Sequence, residues 1–239
     1  MPGAWDNFDL PNANWRRGIM SDSRLLLSLG GRCEVAWQLE NLFGHKISGP
    51  FDWLVTPAQS IPGLIQERFS RIADPDALDI SHYIHPVTGA RLQTVLNRHY
   101  NVFLHHEFSR SPSGEISADW RNEIGKVSEK WQFVVGRWFE TLRKASNVVF
   151  VRRRGNFTMP EEQDLPTTEA DYRNLLDSLD SISIAPRLAV ADPGCEIAHE
   201  RVYTATVGAA GPTDWADPGE YWKGATAGWQ AFLRSIPPI

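Results

Sequence analysis

Apolar positions along this chain follow two rhythms: short runs apolar on both faces, and longer stretches repeating every three or four residues. The first run, 24–29, is built on Leu25, Leu26 and Leu27 and comes after an irregular N-terminal segment, 1–23. Comparable runs lie at 100–104, 148–151, 188–191 and 201–207, and each predicts a strand. Between them, Val35, Ala36, Leu39, Leu42 and Phe43 predict a helix over 33–43. Ile124, Val127, Trp131, Val134, Trp138, Leu142 and Ala145 mark the longest helix, about 119–145. Two further stripes close the pattern, Tyr172-Leu175-Leu176-Leu179 and Trp222-Ala225-Trp229-Phe232-Leu233. Strands apolar on both faces, alternating with helices, predict an α/β fold: a three-layer domain with a mostly parallel central sheet. A single domain spanning 1–239 is expected.

Local signals refine the boundaries. Thr56, Pro57 and Gln59 form a capping-box pattern, although Pro62 and Gly63 interrupt the next turn, so that helix starts either there or near Ser60 and runs to Ile72. Thr168 with Asp171 caps the helix striped by Tyr172. The 74–98 segment is mixed, with a turn signal at 86–89, and reads as a pair of short strands or loops. On the longest helix, Glu123, Lys126, Glu129, Lys130, Arg137, Glu140 and Lys144 form a solvated face.

Composition narrows the function classes. A net charge of −5, with basic residues scattered apart from Arg152-Arg153-Arg154, gives no field for a phosphate backbone, so nucleic acid is not expected as a partner. No run approaches the ~20 apolar residues of a membrane helix, so no membrane partner is expected. The first twenty residues lack the apolar core of a signal peptide. Two cysteines far apart, Cys33 and Cys195, form neither a disulfide framework nor a zinc motif, and the chain reads as cytoplasmic. Ten tryptophans are many for this length; Trp120, Trp131 and Trp138 share one helix and read as core packing. Oligomeric state does not follow from the pattern.

The sharpest chemical signal is Ser28-Leu29-Gly30-Gly31-Arg32-Cys33, in which a strand runs through two glycines into a helix carrying a cysteine in its first turn. Backbone N–H groups and the helix dipole there favour a thiolate. The amides of Gly31, Arg32 and Cys33 are candidate donors to an oxyanion. Ligands of open α/β sheets bind at the carboxyl ends of strands, where Cys33, the pair His105-His106 and Arg152 each stand. The pattern therefore predicts that thiol, imidazole and guanidinium converge on one crevice. A packing role for Cys33 and a loop-anchoring role for the histidines fit the same spacing.

The run SLGGRCEVAWQLENLFGHKISGPFDWLV resembles the signature L-G-x-x-C-x-x-A-x-x-L followed by S-x-P-F-D-W of a bacterial family of papain-like cysteine peptidases. The likeness continues through VFLHHEF, where the family has His-Asp-Phe, and through the long helix into NVVFVRR, covering 24–152. The resemblance implies Cys33 as nucleophile and His106 as base, with His105 as its fallback. It places Gly30, Asp52 and Trp53 on the family's other signature positions and Glu107 where the family has Asp. Asp52 orients the histidine or caps its loop. The third member of a triad is Asp192, after the 188–191 strand, or Glu107. The family's name also implies an α+β alternative, with the nucleophile helix on an antiparallel barrel.

The leading expectation is a thiol-dependent hydrolase or acyltransferase acting on an amide or ester of a small-molecule, peptide or glycan substrate. Gly30, Gly31, Arg32, Asp52, Trp53, His105, Glu107 and Arg152 are expected around that substrate. Two alternatives stay open: a sugar or nucleotide-sugar protein, with phosphate at the Gly30-Gly31 helix start and Arg152 as counter-ion, and a non-catalytic binding domain of a polysaccharide pathway. No nucleotide or cofactor fingerprint is present, so no cofactor is expected. His82 and His85 read as a solvated loop pair, Cys195 as a loop residue, and no metal site is expected.

Overall fold

Strand and helix alternate as their apolar rhythms require, but the strands divide between two sheets. The computed structural model describes residues 24–44, 48–84, 89–111, 113–154, 167–208 and 222–237. In chain order the elements are β1 (Leu25–Ser28), α1 (Cys33–Phe43), α2 (Ile61–Gln66), β2 (Leu78–Ile84), β3 (Arg91–Asn97), β4 (Val102–Leu104), α3 (Ile124–Lys144), β5 (Val148–Arg153), α4 (Glu169–Asp180), β6 (Arg187–Ala191), β7 (Val202–Ala205) and α5 (Thr226–Ser235). The expected irregular start 1–23 and His85 lie outside the described residues.

Strands β1, β5, β6 and β7 form one sheet in that order, every neighbouring pair parallel. Alternation along β5 explains its unbroken apolar character. Val149 and Val151 join Leu26, Ala189 and Ala191 in a core with Val35 and Leu39 of α1 and Trp229 and Phe232 of α5. Val148 and Phe150 join Leu188 and Val190 in a second core with Trp138 and Leu142 of α3 and Tyr172 and Leu175 of α4. Strands β1, β5 and β6 thus bury side chains on both faces, the edge strand β7 is only partly buried, and the domain is the three-layer α/β arrangement expected. Trp120, Trp131 and Trp138 are all buried in the second core.

The second sheet, β2-β3-β4, is antiparallel and lies in the chain between α2 and α3. Leu78 pairs with Asn97 and Ile84 with Arg91, which makes the 74–98 segment a long hairpin. Here β4 departs from expectation: it pairs with β3 instead of entering the parallel sheet. Only residues 98–101 separate the two strands, enough for a hairpin turn, whereas a parallel neighbour needs a crossover of about a dozen residues. The histidine pair therefore leaves the edge of the antiparallel sheet, not the carboxyl end of a parallel strand.

Caps account for the helix limits. Gly44, in the left-handed region, ends α1 by donating to the Glu40 carbonyl. The reciprocal capping box of Thr168 and Asp171 opens α4. The box expected at Thr56 does not form: Thr56 is buried, its hydroxyl has no hydrogen-bond partner, and a short 3-10 turn at Ala58–Ser60 precedes α2. On α3, Lys130 and Arg137 leave the expected solvated face. Lys130 binds Glu107, and Arg137 donates to the Ser48 carbonyl at 2.7 Å.

Candidate active site

The two glycines before Cys33 are dictated by close backbone approach. Gly30 and Gly31 have φ of 66° and 87°. A Cβ at Gly31 would stand 1.9 Å from the Arg153 carbonyl oxygen, and one at Gly30 2.5 Å from that of Phe51. The Gly30 carbonyl extends the β1–β5 ladder by accepting from the Arg153 amide at 3.3 Å. This turn delivers Cys33 as the first residue of α1, with Arg32 as an extended N-cap that makes no side-chain cap bond.

The electrostatics of Cys33 differ from expectation. Its own amide and that of Glu34 hydrogen-bond the sulfur and favour the thiolate, yet burial outweighs them and pushes the thiol up to about 11, with the Glu34 carboxylate adding to the rise. The sequence reveals the helix mouth, but the desolvation that opposes it is a sum over the packed surroundings.

His106 reaches the region through the 49–56 segment. Val55 exchanges backbone hydrogen bonds with Phe103 of β4, at 3.2 and 3.1 Å. The Trp53 ring meets His106 edge-on at 5.5 Å. Because Phe51 and Leu54 press their carbonyls toward Gly30, one short segment touches both the cysteine turn and the histidine. His106 is exposed at the surface of the domain. Protein packed around the rest of the ring, aided by the Arg110 and Lys130 charges, holds it down at about 4. No hydrogen bond joins Cys33 and His106 among the described residues. Burial thus favours the uncharged form of each group, the Cys33 thiol and the His106 imidazole.

His105 turns the other way, its ring against Tyr83 at 4.8 Å and its Nε2 3.4 Å from the Tyr83 hydroxyl. Asp52 caps its own turn: its Oδ2 accepts from the Gly49 amide at 2.7 Å, its carboxyl also binds Ser28, and neither histidine is a partner. Glu107 directs both oxygens to Lys130, at 2.8 and 2.7 Å, with its side chain only 3% exposed. A shallow hollow of about 20 Å³ adjoins this pair, lined by Pro50, Trp53, Glu107, Lys130, Trp131 and Val134 among others.

Arg152 and Asp192 are both engaged with other parts of the protein. Strand alternation turns Arg152 into the α3–α4 layer, where it is buried and donates to the Thr56 carbonyl at 3.3 Å. Its Nη2 also stands 3.6 Å from where a Cβ on Gly31 would lie, so the guanidinium backs the glycine turn from within the core. Asp192 pairs with Arg153 at 2.7 Å and accepts from the Val207 amide at 3.1 Å, with no histidine partner among the described residues.

The sequence reading overlooked what Arg153 assembles. On the opposite face from Arg152, its guanidinium holds the buried Glu34 carboxylate as well as Asp192, and Trp229 of α5 donates to Glu34 at 2.6 Å. This network anchors the residue after Cys33 to β5, β6 and α5. The available signal was strand parity, since adjacent arginines in a doubly covered strand must serve different layers. Glu34→Ala is expected to destabilise the protein by about 3 kcal/mol, because it orphans the buried indole N–H and leaves Arg153 only Asp192 as a charge partner. Glu34→Gln, which keeps an acceptor for Trp229, should cost less. Denaturant titration of both variants checks the order.

Among the described residues no group of three or more His, Cys, Asp or Glu gathers as a metal site, and no helix is long and apolar enough to cross a membrane. Cys195 lies in the loop after β6, half-buried.

Residues 24–181 match the model of a family described as "Putative papain-like cysteine peptidase (DUF1796)". The match runs from β1 to just past α4 and includes Cys33, Asp52, Trp53 and His106. No curated protein and no solved structure matches the chain.

Proposed function

The chain belongs to this papain-like cysteine peptidase family, and from that premise we propose that it cleaves an amide or ester through a Cys33 acyl-enzyme, with His106 as base. The observation that carries this reading is the shared segment 49–56, which packs on the cysteine turn through Phe51 and Leu54 and on His106 through Trp53.

The step begins with the groups uncharged. His106 takes the proton from the Cys33 thiol as sulfur adds to the substrate carbonyl, and the oxyanion receives N–H donors of the first turn of α1. Collapse expels the amine or alcohol, which takes the proton from the imidazolium and leaves a thioester. Water, deprotonated by His106, then releases the acid and the free thiol. An alcohol or amine in place of that water makes the same site an acyltransferase.

Acyl trapping tests the proposal. Brief exposure to an activated ester such as p-nitrophenyl acetate, then acid quench and peptide mass mapping, is expected to place one acyl group on Cys33. Cys33→Ala should take up none at that peptide. A label on lysines alone, or none on Cys33, would overturn the reading.

A further inference from the structure

The side of α1 that carries Cys33 also carries a tryptophan. Trp37 stands four residues on, which makes the two side chains neighbours on the helix surface, and a long helical side chain leans back over the preceding turn. Both are half-buried, as is Ala36 beside them, whereas Glu34, Val35, Gln38 and Leu39 turn into the domain. A thiol and an indole thus share the accessible side of the helix. A second indole comes from far along the chain: Trp222 meets Trp37 edge-on at 6.3 Å. The Lys223 ammonium lies over both rings, 5.2 and 5.9 Å from their centroids. Neither indole belongs to either hydrophobic core, and both stay half-buried.

The backbone behind this pair is fixed by buried polar contacts. Gln38, fully buried on α1, donates to the Lys223 carbonyl at 2.6 Å and to the Thr226 hydroxyl at 3.2 Å. Gly224 has a φ of 74°, and a Cβ there would lie 1.8 Å from Glu34 Oε1, so the chain passes directly against the residue after Cys33. Trp229, a turn further on, donates to the same carboxylate at 2.6 Å. Residues 222–229 are therefore strapped to α1, and they lie beyond 24–181, the span that the family model matches. We propose that Trp37, Trp222 and Lys223 form a recognition subsite beside Cys33 that takes a flat apolar group flanking the scissile carbonyl of the substrate. The proposal rests on the reading of Cys33 as the nucleophile. An indole offers a large apolar surface and prefers another ring offset-stacked or edge-to-face. Lys223 holds the two rings by cation–π attraction, so the platform stands ready before a ligand arrives. Substrate choice then falls to the strap, while the chemistry stays with Cys33 and His106.

Competing alkylation reports on the subsite without requiring turnover. Iodoacetamide and N-benzyl-iodoacetamide carry the same reactive group, and mass mapping gives the rate of each at Cys33, divided by its rate on glutathione. Taking the ratio of the two cancels any change in the thiol that affects both reagents. The benzyl reagent is expected to be favoured about fivefold in the wild-type protein, the scale of one good aromatic contact. Trp37→Ala should bring the ratio to about one, Trp37→Phe should keep part of the preference, and Trp222→Ala, which leaves α1 intact, should lower it. A wild-type ratio of one, a preference that survives in both alanine variants, or a Cys33 that neither reagent reaches in the folded protein would each overturn the proposal. The two readings fail separately. A benzyl preference in a protein that takes no acyl group on Cys33 would sink the hydrolase reading and leave the subsite standing. Acylation of Cys33 with no benzyl preference would do the reverse.

Discussion

Replacing Gly31 with alanine is expected to cost about 4 kcal/mol or more and to lower Tm by about 10 °C. The new methyl would sit 1.9 Å from the Arg153 carbonyl oxygen, well inside van der Waals contact, and that oxygen belongs to the backbone at the end of β5. No rotamer change relieves such a clash. Residue 31 also has a φ of 87°, where an L residue adds about 1–3 kcal/mol of strain. The variant must therefore part β1 from β5 or unwind the first turn of α1, and either movement displaces Cys33. Gly125→Ala supplies the contrast. That glycine is exposed on α3 with nothing within 4 Å of an added Cβ, and alanine there should raise stability by about 1 kcal/mol. Thermal melts of the two variants would show opposite signs. A Gly31→Ala protein melting within about 2 °C of wild type would mean that the turn is not packed as described.

Much of the parallel domain was legible in the sequence, and the reason is local. The first helix was readable to the residue because glycines stand before and after it and its stripe is unbroken. The helix capped by Thr168 was readable because Thr and Asp occupy both positions of the box. The strands containing Leu26, Phe150 and Val190 announced themselves by being apolar on both faces, a pattern that demands cover on both sides. The antiparallel sheet was less legible: LDISHYI and RLQTVLN mix polar and apolar positions, and nothing in either names its partner. The fate of β4 followed from chain length, since residues 98–101 cannot span a crossover, a constraint visible only once β3 is recognised as a strand.

The candidate site divides along the same line. Cys33 and its glycines form a contiguous motif, and His106 was located by its register with Phe108. The charges were misjudged because their partners come from distant parts of the chain. Asp192 has the right residue type and strand end for a triad, but Arg153 claims it. Arg152 has the right strand end for an anion site, but the parity of β5 turns it inward. The thiolate expectation failed for a similar reason: helix-mouth donors are a sequence feature, whereas burial around sulfur is the product of the whole fold.

The second large effect concerns turnover. If Cys33 and His106 act as a unit, Cys33→Ala should lower hydrolysis of an activated ester or amide about a thousandfold, and His106→Ala nearly as far. The double variant should be no worse than the poorer single one, because a nucleophile without its base and a base without its nucleophile are equally idle. His105→Ala, which loses the contacts with Tyr83 and its neighbour's ring, should remain within a few-fold of wild type. Fold loss is separated from chemistry by melting each variant, since no hydrogen bond joins Cys33 and His106 among the described residues. The most direct test is therefore kcat/KM for the four proteins (wild type, both single variants and the double) on one substrate at pH 7.5. The account predicts that all three variants fall to a common background. Turnover that persists without the thiol, or that survives loss of the His106 imidazole within about threefold, would contradict it.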